Sequence, residues 1–151
     1  GLLGEKPIGI PNNIMPLLLM TASGKRNKFL IFGSDWPTPD GTCIRDYIHV
    51  EDLAEGHIAS LEKLLAEDKV IMHLNLGTGK ATSVLELVNE FQRINDIDIP
   101  VAFAPRREGD CPILVADNSK ALSQLNWKPL RTIADICKDA FFWNNNKNNL
   151  K

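Results

Sequence analysis

The chain has 151 residues, 44% hydrophobic and 24% charged, with seventeen basic and nineteen acidic side chains for a net charge of −2. This is an ordinary globular composition, long enough for one domain or parts of two. The near-neutral balance excludes a chain-wide basic field for gripping nucleic acid or an anionic membrane, so any anion binding must rest on a few placed arginines.

No apolar run approaches the roughly 20 residues that span a bilayer, and Gly1-Leu2-Leu3-Gly4-Glu5-Lys6 lacks the apolar core of a secretory signal, so a cytoplasmic address and no membrane partner are expected. The chain opens on Gly1 and not on Met, as expected of a chain that has lost its initiator methionine or of a piece of a longer protein. Cys43, Cys111 and Cys137 show no C-x-x-C spacing and read as reduced thiols. His49, His57 and His73 have neither paired-histidine nor cysteine spacing, so no metal site is expected.

From Gly4 to Pro11 the chain reads as an extended lead-in, because Gly and Pro fall too close together for a regular element. A helix is predicted next, with Asn13 as its cap, Pro16 tolerated in its first turn, and the block Leu17–Met20 running toward Gly24. Phe29–Phe32 is a short apolar strand stopped by Gly33. Ser34 to Thr42, with Asp35, Pro37, Pro39, Asp40 and Gly41, is turn chemistry throughout: an ordered loop or a mobile lid.

Arg45 to Val50 alternates as a strand edge does and leads into a helix over about Glu51–Ala66. Its apolar positions Leu53, Ala54, His57, Ile58, Leu61, Leu64 and Leu65 share one face, as in a core-packed amphipathic helix. Val70–Leu76 is predicted as a strand closed by Gly77-Thr78-Gly79, and Ser83 with Glu86 forms a capping box for a helix striped by Val84, Leu87, Val88, Phe91 and Ile94. Ile99–Ala104 is another strand, Arg106–Asp110 a charged turn, and Ile113–Ala116 a further short strand. Asp117 is expected to cap a short helix holding Ala121, Leu122 and Leu125, and Thr132 with Asp135 forms a second capping box. The asparagine-rich end, 145–151, is expected to be disordered. Strands alternating with helices indicate an α/β fold.

Several catalytic and cofactor patterns are missing. Gly77-Thr78-Gly79 lies between a strand and a helix, but the third glycine of the dinucleotide fingerprint is replaced by Thr82, and Lys80 is followed by Ala81 where a phosphate loop needs Ser or Thr. Tyr47 is the only tyrosine, and Glu51 stands where short-chain oxidoreductase chemistry places the lysine that activates the phenol, so that acid–base pair is not in this chain. There is no G-x-S-x-G nucleophile elbow.

The remaining polar groups suit binding. Arg45 and Arg107 lie in turn-flanked segments beside Asp46 and Asp110; each is either a phosphate donor or one half of a local ion pair holding a loop. Asn13 is a helix cap or a ligand amide, and Phe32 a core side chain or a base-stacking ring. His49 and His57 read as packing or helix-start residues.

These segments together form a recognisable pattern. The runs Gly9-Ile10-Pro11-Asn12-Asn13-Ile14-Met15-Pro16, Ile31-Phe32-Gly33 and Pro37-Thr38-Pro39-Asp40-Gly41-Thr42-Cys43-Ile44-Arg45-Asp46-Tyr47-Ile48-His49-Val50 closely resemble the UDP-glucose 4-epimerase family. Asn75-Leu76-Gly77-Thr78-Gly79, Ser83-Val84-Leu85-Glu86, Ala104-Pro105-Arg106-Arg107-Glu108-Gly109-Asp110 and Asn126-Trp127 continue the resemblance in the same order. Sugar-nucleotide dehydratases and decarboxylases share the Arg-Asp-aromatic turn, but Pro37-Thr38-Pro39-Asp40-Gly41-Thr42 is more typical of the 4-epimerases.

The resemblance implies the C-terminal, substrate-binding part of an extended short-chain dehydrogenase/reductase, lacking most of the N-terminal Rossmann domain. It implies a UDP-sugar-binding region over 1–144, with a segment near 50–66 packing on the missing nucleotide domain. The parent would interconvert UDP-glucose and UDP-galactose by oxidation at C4, rotation of the keto intermediate and re-reduction, with NAD held by the missing domain and the whole enzyme a homodimer. This chain would hold no catalytic residue. Asn13 and Ile14 would contact the diphosphate region and Leu30 and Phe32 would flank the uracil. Arg45 and Arg107 would bind the pyrophosphate, Asp110 a ribose hydroxyl, and Leu114 would stand at the sugar-pocket gate. The alternatives are a non-catalytic UDP-sugar-binding or interaction protein, or an epimerase for UDP-N-acetylhexosamines or UDP-uronic acids.

Overall fold

The computed structural model describes every residue except Leu3, Lys6, Pro7, Val70 and 147–151. In chain order its elements are α1 (Ile14–Ala22), β1 (Phe29–Phe32), β2 (Ile44–Arg45), α2 (Val50–Ala66), β3 (Thr82–Ser83), α3 (Val84–Asn95), β4 (Val101–Ala104), β5 (Ile113–Leu114), α4 (Ser119–Gln124) and α5 (Ile133–Asn146). β1 and β4 form a parallel pair with Phe32 opposite Ala104, and β2 lies between antiparallel β3 and parallel β5, with Arg45 opposite Leu114. The α/β class expected from the sequence is the observed one.

The main core forms where α1, α3 and α5 cover β1. Leu18, Phe29, Ile31, Leu87, Val88, Phe91, Ile99 and Cys137 are buried together, and Phe91 meets Phe141 edge to face at 5.9 Å. Strand alternation explains the division of β1: Phe29 and Ile31 point into this core, which leaves Leu30 and Phe32 half-exposed on the other face. A smaller cluster of Ala121, Leu125 and Trp127 packs with Ile48, Ala59, Leu74 and Leu76.

Both capping boxes form. Ser83 Oγ accepts from Glu86 N at 2.9 Å while Glu86 accepts from Ser83 N, and Thr132 exchanges the equivalent bonds with Asp135. The 34–42 segment is a loop tied down by side-chain bonds. The Asp40 carboxylate accepts from Thr42 N, Thr42 Oγ1 and Ser83 Oγ, which ties the loop to the start of α3.

Four expectations are corrected. Asn13 occupies the N-cap position of α1, but its side chain makes no capping bond and instead reaches Glu5 Oε1 at 3.5 Å. The third residue of α1 is Pro16, so one of the two N–H groups a cap would serve does not exist. The 71–76 stretch keeps the alternation of a strand but joins no ladder among the described residues, and it is Met72, Leu74 and Leu76 that turn inward while Ile71 is exposed. Val70 lies outside the described residues. The short helix is capped in position by Asn118, while Asp117 Oδ1 accepts from Ser119 N at 3.0 Å. Asn145 and Asn146 belong to α5, and 147–151 lie outside the described residues.

α2 departs furthest from a core-packed helix. Only Asp52 and Gly56 are buried on it, whereas Ile58, Leu61, Leu64 and Leu65 are 46–79% exposed. No helix among the described residues is long and apolar enough to cross a membrane. α2 is instead held at its first turn. His49 Nδ1 accepts from Glu51 N, and the buried Asp52 carboxylate accepts from Leu130 N, Arg131 N and Arg131 Nη1 at 3.1, 2.9 and 2.5 Å. Arg131 also pairs with Glu51 and Glu55.

Burial raises the Asp52 pKa, but the Arg131 and Leu130 bonds outweigh it and hold the carboxyl below its ordinary 3.8. A depressed folded pKa gives stabilisation that is complete above the unfolded value and lost as pH falls through the folded one. Amide exchange at Leu130 and Arg131 should therefore stay protected above the ordinary carboxyl pKa of 3.8 and lose that protection only as the pH falls below it through the lowered folded value, and Asp52→Asn should abolish the dependence. The exposed α2 face predicts that the isolated polypeptide binds an apolar dye and melts broadly, since roughly 25 cal/mol per Å² of uncovered apolar surface is forgone. A sharp cooperative calorimetric transition without dye binding would contradict this.

Candidate functional site

The site is built where the ends of β1 and β4 meet the sheet of β2 and β5. Beyond Ala104 the chain leaves the β4 ladder and passes through Pro105 and Arg106 to Arg107, whose guanidinium carbon lies 4.8 Å from the centre of the Phe32 ring. That distance is within cation–π range. Arg107 Nε and Nη2 donate to Asp110 Oδ2 and Oδ1 at 3.0 and 3.3 Å across a turn whose Gly109 has φ +84°. After Cys111 and Pro112 the chain enters β5, which sets Leu114 beside Arg45. Arg45 Nη1 donates to the carbonyls of Ile44 and Cys111 at 2.8 and 2.9 Å, and its Nη2 stands 3.7 Å from Asp110 Oδ1.

Phe32, Arg107, Asp110 and Arg45 thus form one continuous group in which two guanidinium groups share a single carboxylate. The group carries a net positive charge beside a half-exposed aromatic ring. Arg45 and Asp110 are 23% and 19% exposed at their side chains and Arg107 is 53% exposed, so the donors are ordered yet reachable. Such an arrangement can take an anion of two or more phosphates with a planar ring beside it.

Of the eight residues selected from the sequence, this group contains four. Leu30 shares the outward face of β1 with Phe32, and Leu114 stands 63% exposed next to Arg45 on the neighbouring strand. Asn13 and Ile14 stand at the start of α1, where Ile14 packs against the main core.

Asp46 is not the partner of Arg45. Successive residues of an extended segment point to opposite faces, and Asp46 faces the 77–79 turn. Its carboxylate accepts from Thr78 N at 2.9 Å, Thr78 Oγ1 at 2.5 Å, Gly79 N at 2.9 Å and Ala116 N at 3.3 Å. The turn's amides are thereby committed, so the residues present do not fit a dinucleotide pyrophosphate. Burial pushes the Tyr47 phenol up to about 12, away from what proton transfer near neutrality needs. Burial likewise pushes the Cys137 thiol up to about 12, which makes it inert. Among the described residues no three His, Cys, Asp or Glu side chains converge to hold a metal.

Two residues escaped the sequence reading. Arg106 stacks on Trp36, its guanidinium carbon 4.1 Å from a ring centre of the indole, and donates to Asp35. The adjacent arginines after a strand, and an aromatic four residues beyond Phe32, are the signal that could have found them.

Residues 5–140 match the family described as GDP-mannose 4,6 dehydratase. UDP-glucose 4-epimerase 4 of Oryza sativa subsp. japonica is 50% identical over 143 residues, covering 95% of this chain and 39% of that protein. The chain therefore spans about two-fifths of the length of the curated relatives it matches. The structure of the Stenotrophomonas maltophila UDP-glucose 4-epimerase with bound NAD and formylated UDP-arabinopyranose superposes with a TM-score of 0.92 at 40% identity, covering 99% of this chain and 44% of that one. That of the Bifidobacterium longum UDP-glucose 4-epimerase in complex with NAD+ and UDP gives 0.91 at 40% identity, with the same coverage.

Gly77 tests the turn directly. A Cβ there would lie 2.7 Å from Asp46 Oδ2 and 2.6 Å from the Ala116 Cβ. Gly77→Ala should cost about 1–3 kcal/mol by overpacking and speed amide exchange at Thr78 and Gly79, whose N–H groups lose their acceptor.

Proposed function

Because the chain belongs to the GDP-mannose 4,6 dehydratase family, we propose that it is the UDP-sugar-holding, C-terminal portion of an epimerase that interconverts UDP-glucose and UDP-galactose. The observation that carries this reading is the ordered Phe32–Arg107–Asp110–Arg45 group: two arginines and one carboxylate beside an aromatic ring. Its charge and shape suit a uridine diphosphate. Arg45 and Arg107 bind the pyrophosphate, Leu30 and Phe32 flank the base, Asp110 accepts from a ribose hydroxyl, Leu114 borders the sugar, and Asn13 and Ile14 approach the diphosphate from α1.

The chain does not itself carry the redox chemistry. The Thr78 and Gly79 amides of its 77–79 turn are taken by Asp46 and its tyrosine lacks a lysine partner, so NAD and the proton-transfer groups are assigned to the part of the protein outside these residues. The uncovered face of α2, and the 71–76 stretch that joins no ladder among the described residues, support that part packing there on the 1–144 region. The whole protein is proposed to act as a cytoplasmic homodimer.

The whole protein should convert UDP-galactose to UDP-glucose, and this 151-residue chain alone should show no turnover; a whole protein that binds NAD but leaves C4 uninverted would defeat the reading. Arg45→Ala or Arg107→Ala should weaken UDP binding about tenfold to a hundredfold each, the loss of one charged hydrogen-bond set, as measured by calorimetry. Side-by-side rates on UDP-N-acetylglucosamine and UDP-glucuronic acid separate the alternative epimerases, and NAD-independent UDP-sugar binding without turnover is the signature of a pure binding protein.

A further inference from the structure

Arg106 and Arg107 are neighbours in sequence but face two different rings, Trp36 and Phe32, and those rings are themselves joined. Trp36 Nε1 donates to the Phe32 carbonyl at 3.2 Å, and the indole is 9% exposed. Gly33 makes the close approach possible: it has φ +85°, and a Cβ on it would lie 2.2 Å from Trp36 Nε1 and 3.0 Å from Arg106 Cγ. Arg106 completes the arrangement by stacking on Trp36 at 4.1 Å and donating to Asp35 Oδ1 at 2.8 Å and to the Asp35 carbonyl at 2.5 Å. The contacts close a ring: Arg106 to Trp36, Trp36 to Phe32, Phe32 to Arg107, and back through one peptide bond.

We propose that Arg106 is a positioning residue for nucleotide binding, holding the backbone of the 105–107 segment so that Arg107 stays over Phe32. The proposal rests on the reading of Arg107 as a diphosphate ligand. Stability alone does not account for the arrangement. Asp35 is 73% exposed and Arg106 41% exposed, a solvent-screened pair of the kind that contributes little to folding. Its consequence is geometric. Arg106 and Arg107 share one peptide bond and face different rings, so anchoring Arg106 against the 34–36 segment limits the directions in which Arg107 can leave the backbone and favours Phe32. Preorganisation of this kind acts on affinity, because an arginine held in its bound direction loses less freedom when the ligand arrives.

The test is a double-mutant cycle in the whole protein, with UDP binding by calorimetry and steady-state kinetics on UDP-galactose. Arg106→Gln should raise the UDP Kd and the UDP-galactose KM about fivefold to tenfold while kcat stays within about twofold. Asp35→Asn, a change at an exposed side chain, should move KM in the same direction by a smaller factor with an unchanged melting temperature, and Arg106→Lys should recover only part of the loss because an ammonium cannot stack as a plane. In an Arg107→Ala background, Arg106→Gln should have no further effect on UDP binding. Equal and additive effects in both backgrounds, or a wild-type Kd in Arg106→Gln, would overturn the clamp while leaving the Arg107 assignment standing. A whole protein that binds no UDP would overturn the assignment and the clamp with it.

Discussion

One carboxylate, that of Asp46, takes four donors from two separate segments, and in doing so it decides which side chains β2 can offer to a ligand. With Asp46 turned to the 77–79 turn and to Ala116, the adjacent Arg45 has to leave on the opposite side, where Cys111 and Asp110 meet it. The same bonds set β5 alongside β2 and close the turn through which α3 is reached. Gly77 is part of this constraint, since a larger residue would occupy the space of the carboxylate.

Carboxylates perform the equivalent task elsewhere. Asp40 joins the loop after β1 to the start of α3; burial raises its pKa, but the bonds from Ser83 and Thr42 outweigh that and hold it below the ordinary value. Asp52 joins α2 to the 130–131 segment, and Arg131 gathers Glu51 and Glu55 about the same point. Asp46 and Asp52 each accept several backbone N–H groups from residues distant in sequence, while Asp40 takes Thr42 N and the hydroxyls of Thr42 and Ser83, and each fixes loops that have little apolar surface of their own. The apolar core serves a different end: it orients β1 so that Phe32, and not Ile31, meets Arg107.

The division of labour accounts for what the chain lacks as well as for what it holds. The arginines proposed to grip an anion are held by ion pairs and reachable, while the phenol and the Cys137 thiol, which could take part in chemistry, are buried and shifted away from reactivity. The apolar face of α2 is largely exposed, and the 71–76 stretch has no ladder partner among the described residues.

Periodicity and caps by themselves determined the helices, the two capping boxes, β1 and β4, because each depends on residues within a few positions of one another. The missing lysine after Tyr47 and the missing third glycine after Gly79 were equally legible, since such patterns are local in sequence. Only the tertiary structure decided the pairing of charges. Arg45 beside Asp46 looked like an ion pair, but strand alternation sends them apart, and Arg45 finds Asp110 while Asp46 serves the 77–79 turn. Likewise the 71–76 pattern is that of a strand, yet a strand is a ladder and needs a partner that no local pattern supplies. Trp36 and Arg106 went unnoticed for the same reason: a stack between residues seventy positions apart leaves no periodic trace, and it exists because β1 and β4 run parallel and end side by side.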